Sequence, residues 1–90
     1  MTVKIIIPSY LQSFAENKET IEVQGSTVGE CFEDLIRQFP AFRQKLFVQD
    51  EELLDYVTVF INRKDAYPNE LAKPVRDGDE IHILYVIGGG

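Results

Sequence analysis

The sequence predicts an α+β domain: a mixed sheet packed on one main helix. Three observations lead there. One segment carries an apolar stripe at helical spacing behind a capping signature, "TVGECFEDLIRQF". Runs with two-residue alternation lie on both sides of it, "VKIII" and "TIEV" before and "YVTVFIN" and "IHILYV" after. Proline and Asp-Gly punctuation separates these runs at short intervals. Ninety residues fit one domain with a modest core.

"VKIII" (Val3–Ile7) is a β-rich run stopped by Pro8. Alternation puts Val3, Ile5 and Ile7 on one face and Lys4 and Ile6 on the other. A polar stretch, "SFAENKE", leads to "TIEV" (Thr20–Val23), with Ile21 and Val23 pointing one way and Glu22 the other. The loop length fits an antiparallel hairpin, and "QGS" turns the chain. Thr27 followed by Glu30 is a capping box, in which each side chain satisfies an amide of the first helical turn. Val28, Cys31, Phe32, Leu35, Ile36 and Phe39 then form the apolar stripe, which Pro40 ends. "AFRQKLF" adds a short second helix, and the acidic "QDEEL" reads as an exposed loop.

In "YVTVFIN", Val57, Val59 and Ile61 share one side and Tyr56, Thr58 and Phe60 the other. "RKDAYPNELAKPV" holds Pro68 and Pro74, so it reads as turns with a short edge strand. "RDGDE" supplies an Asp-Gly turn whose glycine takes positive φ, and it launches "IHILYV", with Ile81 and Ile83 inward. Two hairpin-like ends are thus joined by a crossing helix.

Composition excludes several function classes. Apolar residues are 44% and charged residues 27%, a globular mix. Nine Lys and Arg stand against 15 Asp and Glu, a net charge of −6 that disfavours nucleic acid and suits steering toward a basic protein surface. No apolar run approaches the roughly 20 residues of a membrane span. The first residues lack a signal peptide's apolar region, and the one cysteine cannot form an internal disulfide, so a reducing cytoplasm is expected.

Few residues invite chemistry of their own. Cys31 lies on the helix's apolar stripe, where a buried inert thiol is the plainer reading than a sulfur-handling nucleophile. His82 has no second histidine or cysteine to complete a metal site and reads as a surface residue. Asp50, Glu51, Glu52 and Asp55 lack the ligand alternation and glycine turn of a calcium loop. No glycine-rich phosphate loop precedes a helix. No catalytic or metal site is expected on this chain.

The last residues, "VIGGG" (Val86–Gly90), pose a different question, because glycines add nothing to a core. With the order of elements, "IPSYL" after the first strand, "GSTVGECFEDL" opening the helix, "VFINRKDA", "VRDGDEIHIL" and the terminal Gly-Gly, the whole chain resembles the ThiS/MoaD sulfur carriers. These are ubiquitin-like β-grasp proteins. It looks most like the longer carriers of the cysteine-biosynthesis type, with Gly88 in the place of a small residue and Gly89 and Gly90 as the functional pair. Tyr85 stands where that pattern has proline.

The resemblance implies a domain over residues 1–87 and a flexible glycine tail over 88–90. It implies that a ubiquitin-activating-type enzyme couples the Gly90 carboxylate to ATP and that sulfur then replaces the adenylate, giving a thiocarboxylate. ATP belongs to that partner, and no cofactor is held tightly here. A sulfur-acceptor synthase is a second implied partner, and a metalloprotease that releases product an optional third. Cysteine, molybdopterin and thiamin synthesis all use such carriers. The chain would not be an enzyme alone, although it would count as the small subunit of molybdopterin synthase if held in that complex. The alternatives are a ubiquitin-like modifier joined to lysine through Gly90, and a plain binding domain with an idle tail.

In a β-grasp sheet the first, last and central strands are neighbours. Alternation therefore gathers Ile6, Phe60 and Leu84 on the face away from the helix, and Ile87 continues toward the tail. These four residues are the expected partner interface. Scattered surface hydrophobes are the competing account.

Overall fold

The computed structural model describes residues 2–48 and 52–86. The β-rich runs become β1 (Thr2–Ile6), β2 (Thr20–Gln24), β3 (Val57–Ile61), β4 (Lys64–Asp65) and β5 (Glu80–Tyr85). Between β2 and β3 lie α1 (Val28–Gln38) and α2 (Phe42–Leu46). Each strand falls within one residue of its sequence reading. β4 is the short edge strand expected after Arg63.

The strands form one mixed sheet in the order β2-β1-β5-β3-β4. β1 pairs antiparallel with β2 and parallel with β5, and β3 pairs antiparallel with both β5 and β4. β5 therefore sits at the centre, buried on its inner face through Ile81 and Ile83. The stripe of α1 lies across that face: Val28, Cys31, Phe32, Leu35 and Ile36 are buried with Val3, Ile5, Ile7, Ile21, Val23, Val57 and Val59. This is the β-grasp architecture that the resemblance implies.

Four local readings need correction. Ile61 and Phe39, expected in the core, are only partly buried at its margin, because each lies at the end of its element. The stretch after Pro8 is not merely polar. Ser9–Ala15 winds into a 3-10 helix that buries Leu11 and Ala15, then closes through Glu16 and Asn17 at positive φ. The acidic loop is not wholly exposed: Leu53 and Leu54 pack on the core, and Phe47 and Leu53 pair across it. The capping box is shifted by one residue. Thr27 Oγ1 accepts from the Glu30 N–H at 3.2 Å, but the Glu30 carboxylate reaches the Ser26 N–H at 2.8 Å rather than that of Thr27.

The "RDGDE" turn is held by its own carboxylates. Gly78 has φ +89°, as an Asp-Gly turn requires. Asp77 Oδ1 accepts from the Thr2 N–H at 2.8 Å, and Asp79 Oδ2 from the Arg76 N–H at 2.8 Å. Asn62 then donates to Asp79 Oδ1 and accepts from the Glu80 N–H, both at 2.9 Å, so the turn ties together the ends of β1, β3 and β5. At the opposite side, α1 shields the free edge of β2. Asp34 accepts the Gln24 N–H at 2.9 Å and Gln38 donates to the Glu22 carbonyl at 3.0 Å, occupying groups that would otherwise recruit another strand.

Candidate functional site

Two features meet at the end of β5: the outer sheet face and the point from which the last residues depart. The register defines the first. Ile6 and Phe60 each lie opposite His82, so the three form one row across β1, β5 and β3. Leu84 lies one strand period further on, opposite Thr58. Ile6 and Phe60 are half-buried, and Leu84 is 42% exposed. A shallow depression of 250 Å³ is lined by Phe60, Arg63, His82 and Leu84.

The structure thus puts Ile6, Phe60 and Leu84 on one face. It also sets His82 between Ile6 and Phe60 and Arg63 at the rim, so the patch is amphipathic rather than purely apolar. His82 is half-buried, with Nε2 3.5 Å from Glu80 Oε1. Its place was available from alternation, since Ile81 and Ile83 inward put His82 outward with Leu84. Arg63 gives no such signal, because its position depends on a turn in which it and Asn62 both take positive φ.

The second feature surrounds Tyr85. This residue continues the inward alternation of Ile81 and Ile83, and its hydroxyl donates to the Lys45 carbonyl on α2. Its backbone N–H donates to the Tyr10 hydroxyl at 2.7 Å, and the Val86 N–H donates to the Tyr56 carbonyl at 2.7 Å. The Tyr85 ring lies 5.3 Å from that of Tyr10 and 5.0 Å, edge-on, from that of Tyr56. Burial, with smaller contributions from Tyr56 and Tyr10, raises the Tyr85 phenol above its ordinary pKa, so it remains a donor. Sequence reading singled out Tyr85 only as a departure from proline, and Tyr10 not at all.

Gly88, Gly89 and Gly90, the expected acyl end, and Ile87, the fourth interface candidate, lie outside the described residues, as does the expected boundary between domain and tail. Cys31 is fully buried in the core. Burial pushes its thiol up to about 11, and the nearby Glu30 and Asp34 carboxylates act in the same direction. It is a neutral, shielded thiol at neutral pH, which suits packing and not sulfur transfer. Among the described residues, no three His, Cys, Asp or Glu side chains are grouped to hold a metal ion. No described helix is long and apolar enough to cross a membrane.

The family model described as the ThiS family matches residues 5–90. This chain belongs to the ThiS family. It is 26% identical over 93 residues to the sulfur carrier protein CysO of Mycobacterium tuberculosis, covering 100% of both chains. It is 31% identical over 71 residues to small archaeal modifier protein 1 of Haloferax volcanii, covering 78% of each. Among solved structures, a chain of the BexX/CysO complex of Amycolatopsis orientalis superposes with a TM-score of 0.87 at 29% identity, covering 98% of this chain and 99% of that one. Both sulfur carriers and ubiquitin-like modifiers are therefore among the relatives of this ThiS-family chain, and its fold is theirs.

Proposed function

We propose that this ThiS-family chain is a sulfur carrier whose Gly90 carboxylate is the loaded group. A carboxylate is ionised at neutral pH and is a poor electrophile. In the proposed sequence a ubiquitin-activating-type enzyme lets a Gly90 oxygen attack the α-phosphorus of ATP, expelling pyrophosphate. Sulfide then attacks the acyl carbon of the adenylate; a persulfide donor in its place would give an acyl disulfide, whose S–S bond a second thiol must then reduce. AMP leaves, and one carboxylate oxygen has been exchanged for sulfur. The partner supplies the charge stabilisation for both steps. This chain supplies the acyl group and a face to dock, and so acts as a co-substrate rather than an enzyme. Gly89 and Gly90 suit a narrow slot because a Cβ there would restrict the backbone and crowd the slot's walls.

The observation that carries this reading is the family match, which runs through the terminal glycines to residue 90. The full-length similarity to CysO supports the cysteine-biosynthesis branch over molybdopterin or thiamin synthesis. The BexX/CysO complex supports a protein partner for this chain, and a sulfur-acceptor synthase and a product-releasing metalloprotease belong to the same proposal. A single shielded cysteine is in keeping with a cytoplasmic carrier. A second reading, a modifier conjugated to lysine through Gly90, is favoured by the 31% identity to small archaeal modifier protein 1.

Both readings share the adenylate and differ in the nucleophile that follows. Intact-mass measurement after incubation with ATP, the activating enzyme and sulfide separates them. One oxygen replaced by sulfur is expected for the carrier. A ladder of conjugates with no thiocarboxylate would overturn the carrier in favour of the modifier.

A further inference from the structure

Val86 is the last described residue, and four residues follow it to Gly90. Four residues reach at most about 14 Å when fully extended. For so short an arm, the position and direction of its first anchored residue decide where the carboxylate can go.

That anchor is over-determined. Beyond Ile6, β1 no longer pairs with β5, yet the Tyr85 N–H still finds an acceptor in the Tyr10 hydroxyl, at 2.7 Å. On the other side the Val86 N–H is held by the Tyr56 carbonyl at 2.7 Å. The Tyr85 hydroxyl reaches through to the Lys45 carbonyl, fastening the strand to α2. Its ring contacts those of Tyr10 and Tyr56, which are themselves 50% and 41% exposed. Packing of the core does not require this arrangement, because two of the three rings stay half in water.

We propose that Tyr10, Tyr56 and Tyr85 form a clamp that fixes the point and direction from which the tail leaves the domain, and that they are positioning residues for loading of Gly90. The clamp does what a proline at position 85 would do by ring geometry: it removes freedom just before the arm. If it opens, Tyr85 and Val86 join the four residues beyond them. The arm lengthens from four residues to six, and its effective concentration at a partner's slot falls about twofold from length alone. Lost orientation takes the total to roughly tenfold.

The proposal rests on the adenylation step shared by the carrier and modifier readings, and its test has an arm that does not. Tyr10→Phe keeps the ring and removes the acceptor, and Tyr85→Phe keeps the ring and removes the donor to Lys45. In the isolated protein, amide hydrogen exchange at Tyr85 should quicken about fivefold or more in Tyr10→Phe while exchange in β1 and α1 stays as in the wild type. With ATP and the activating enzyme, pyrophosphate exchange should show kcat lowered about two- to tenfold in both variants with KM unchanged. The sheet face that docks is intact, and only delivery of the carboxylate is impaired. Tyr85→Ala should be worse than Tyr85→Phe, the retained ring giving partial rescue. Unaltered exchange at Tyr85 in Tyr10→Phe, or unaltered kcat in both variants of a chain that is otherwise loaded, overturns the clamp alone. A wild-type chain that takes no adenylate overturns the functional reading, and its loading role with it.

Discussion

Asp79 accepts hydrogen bonds from the Asn62 side chain and the Arg76 N–H, and these hold its carboxyl below the usual carboxylate range in that order of importance. Glu30 is lowered in the same way by the N–H and hydroxyl of Ser26. Both groups have a folded pKa below the unfolded one. Their contribution is fully present above the unfolded value of about 4 and is lost as pH falls through the folded value. An Asp79→Asn variant should therefore melt below the wild type by a constant margin above about pH 5, and that margin should shrink as pH falls below about 4. Melting curves at a series of pH values check it, and a margin independent of pH would refute the assignment. At this scale the sequence was readable where one residue type does one job, as with Gly78 in its turn and Cys31 in the stripe. It was less so for Glu30, whose partner differs by one position, because a side chain with three rotatable bonds can reach either Ser26 or Thr27.

The helix α1 and the strands were legible because their periods are strong. Every residue of the expected stripe except Phe39 is buried, and the three inward residues of β1 and the linked strand end, Val3, Ile5 and Ile7, are all at or below 2% exposure. Leu35 lies fully buried at the middle of the stripe. Leu35→Ala should cost about 2–5 kcal/mol, read from the shift in urea midpoint, since both transfer energy and a residual cavity count against it. A loss below about 1 kcal/mol would mean that the helix is not packed as described. The 3-10 helix of Ser9–Ala15 escaped sequence reading because a period near three matches neither template and its serines and glutamine dilute the signal of Leu11 and Ala15. The Phe47–Leu53 pairing escaped because the charges between them suggested solvent throughout.

At the scale of the molecule, alternation fixes which side of its own strand a residue occupies but not which strands are neighbours. The central place of β5 came from resemblance to β-grasp proteins, and only with that order do Ile6, His82 and Phe60 fall in one row. The tyrosine cluster needed the three-dimensional structure, since Tyr10 and Tyr85 are 75 residues apart in sequence. In the proposed function the outer row is the face that meets the partner. Phe60→Asp should weaken binding to the activating enzyme by roughly 10- to 100-fold in calorimetric titration, with a circular dichroism spectrum like the wild type and at most about 1 kcal/mol of stability lost. Unchanged affinity would remove this face from the interface.

The central claim is that the terminal carboxylate of Gly90, and not the thiol of Cys31, carries the sulfur. Fragment-ion mass spectrometry of the intact chain after reaction with ATP, activating enzyme and sulfide tests it most directly. The account predicts one oxygen exchanged for sulfur, localised to Gly90. A terminus that keeps both of its oxygens after ATP, activating enzyme and sulfide have reacted would contradict it.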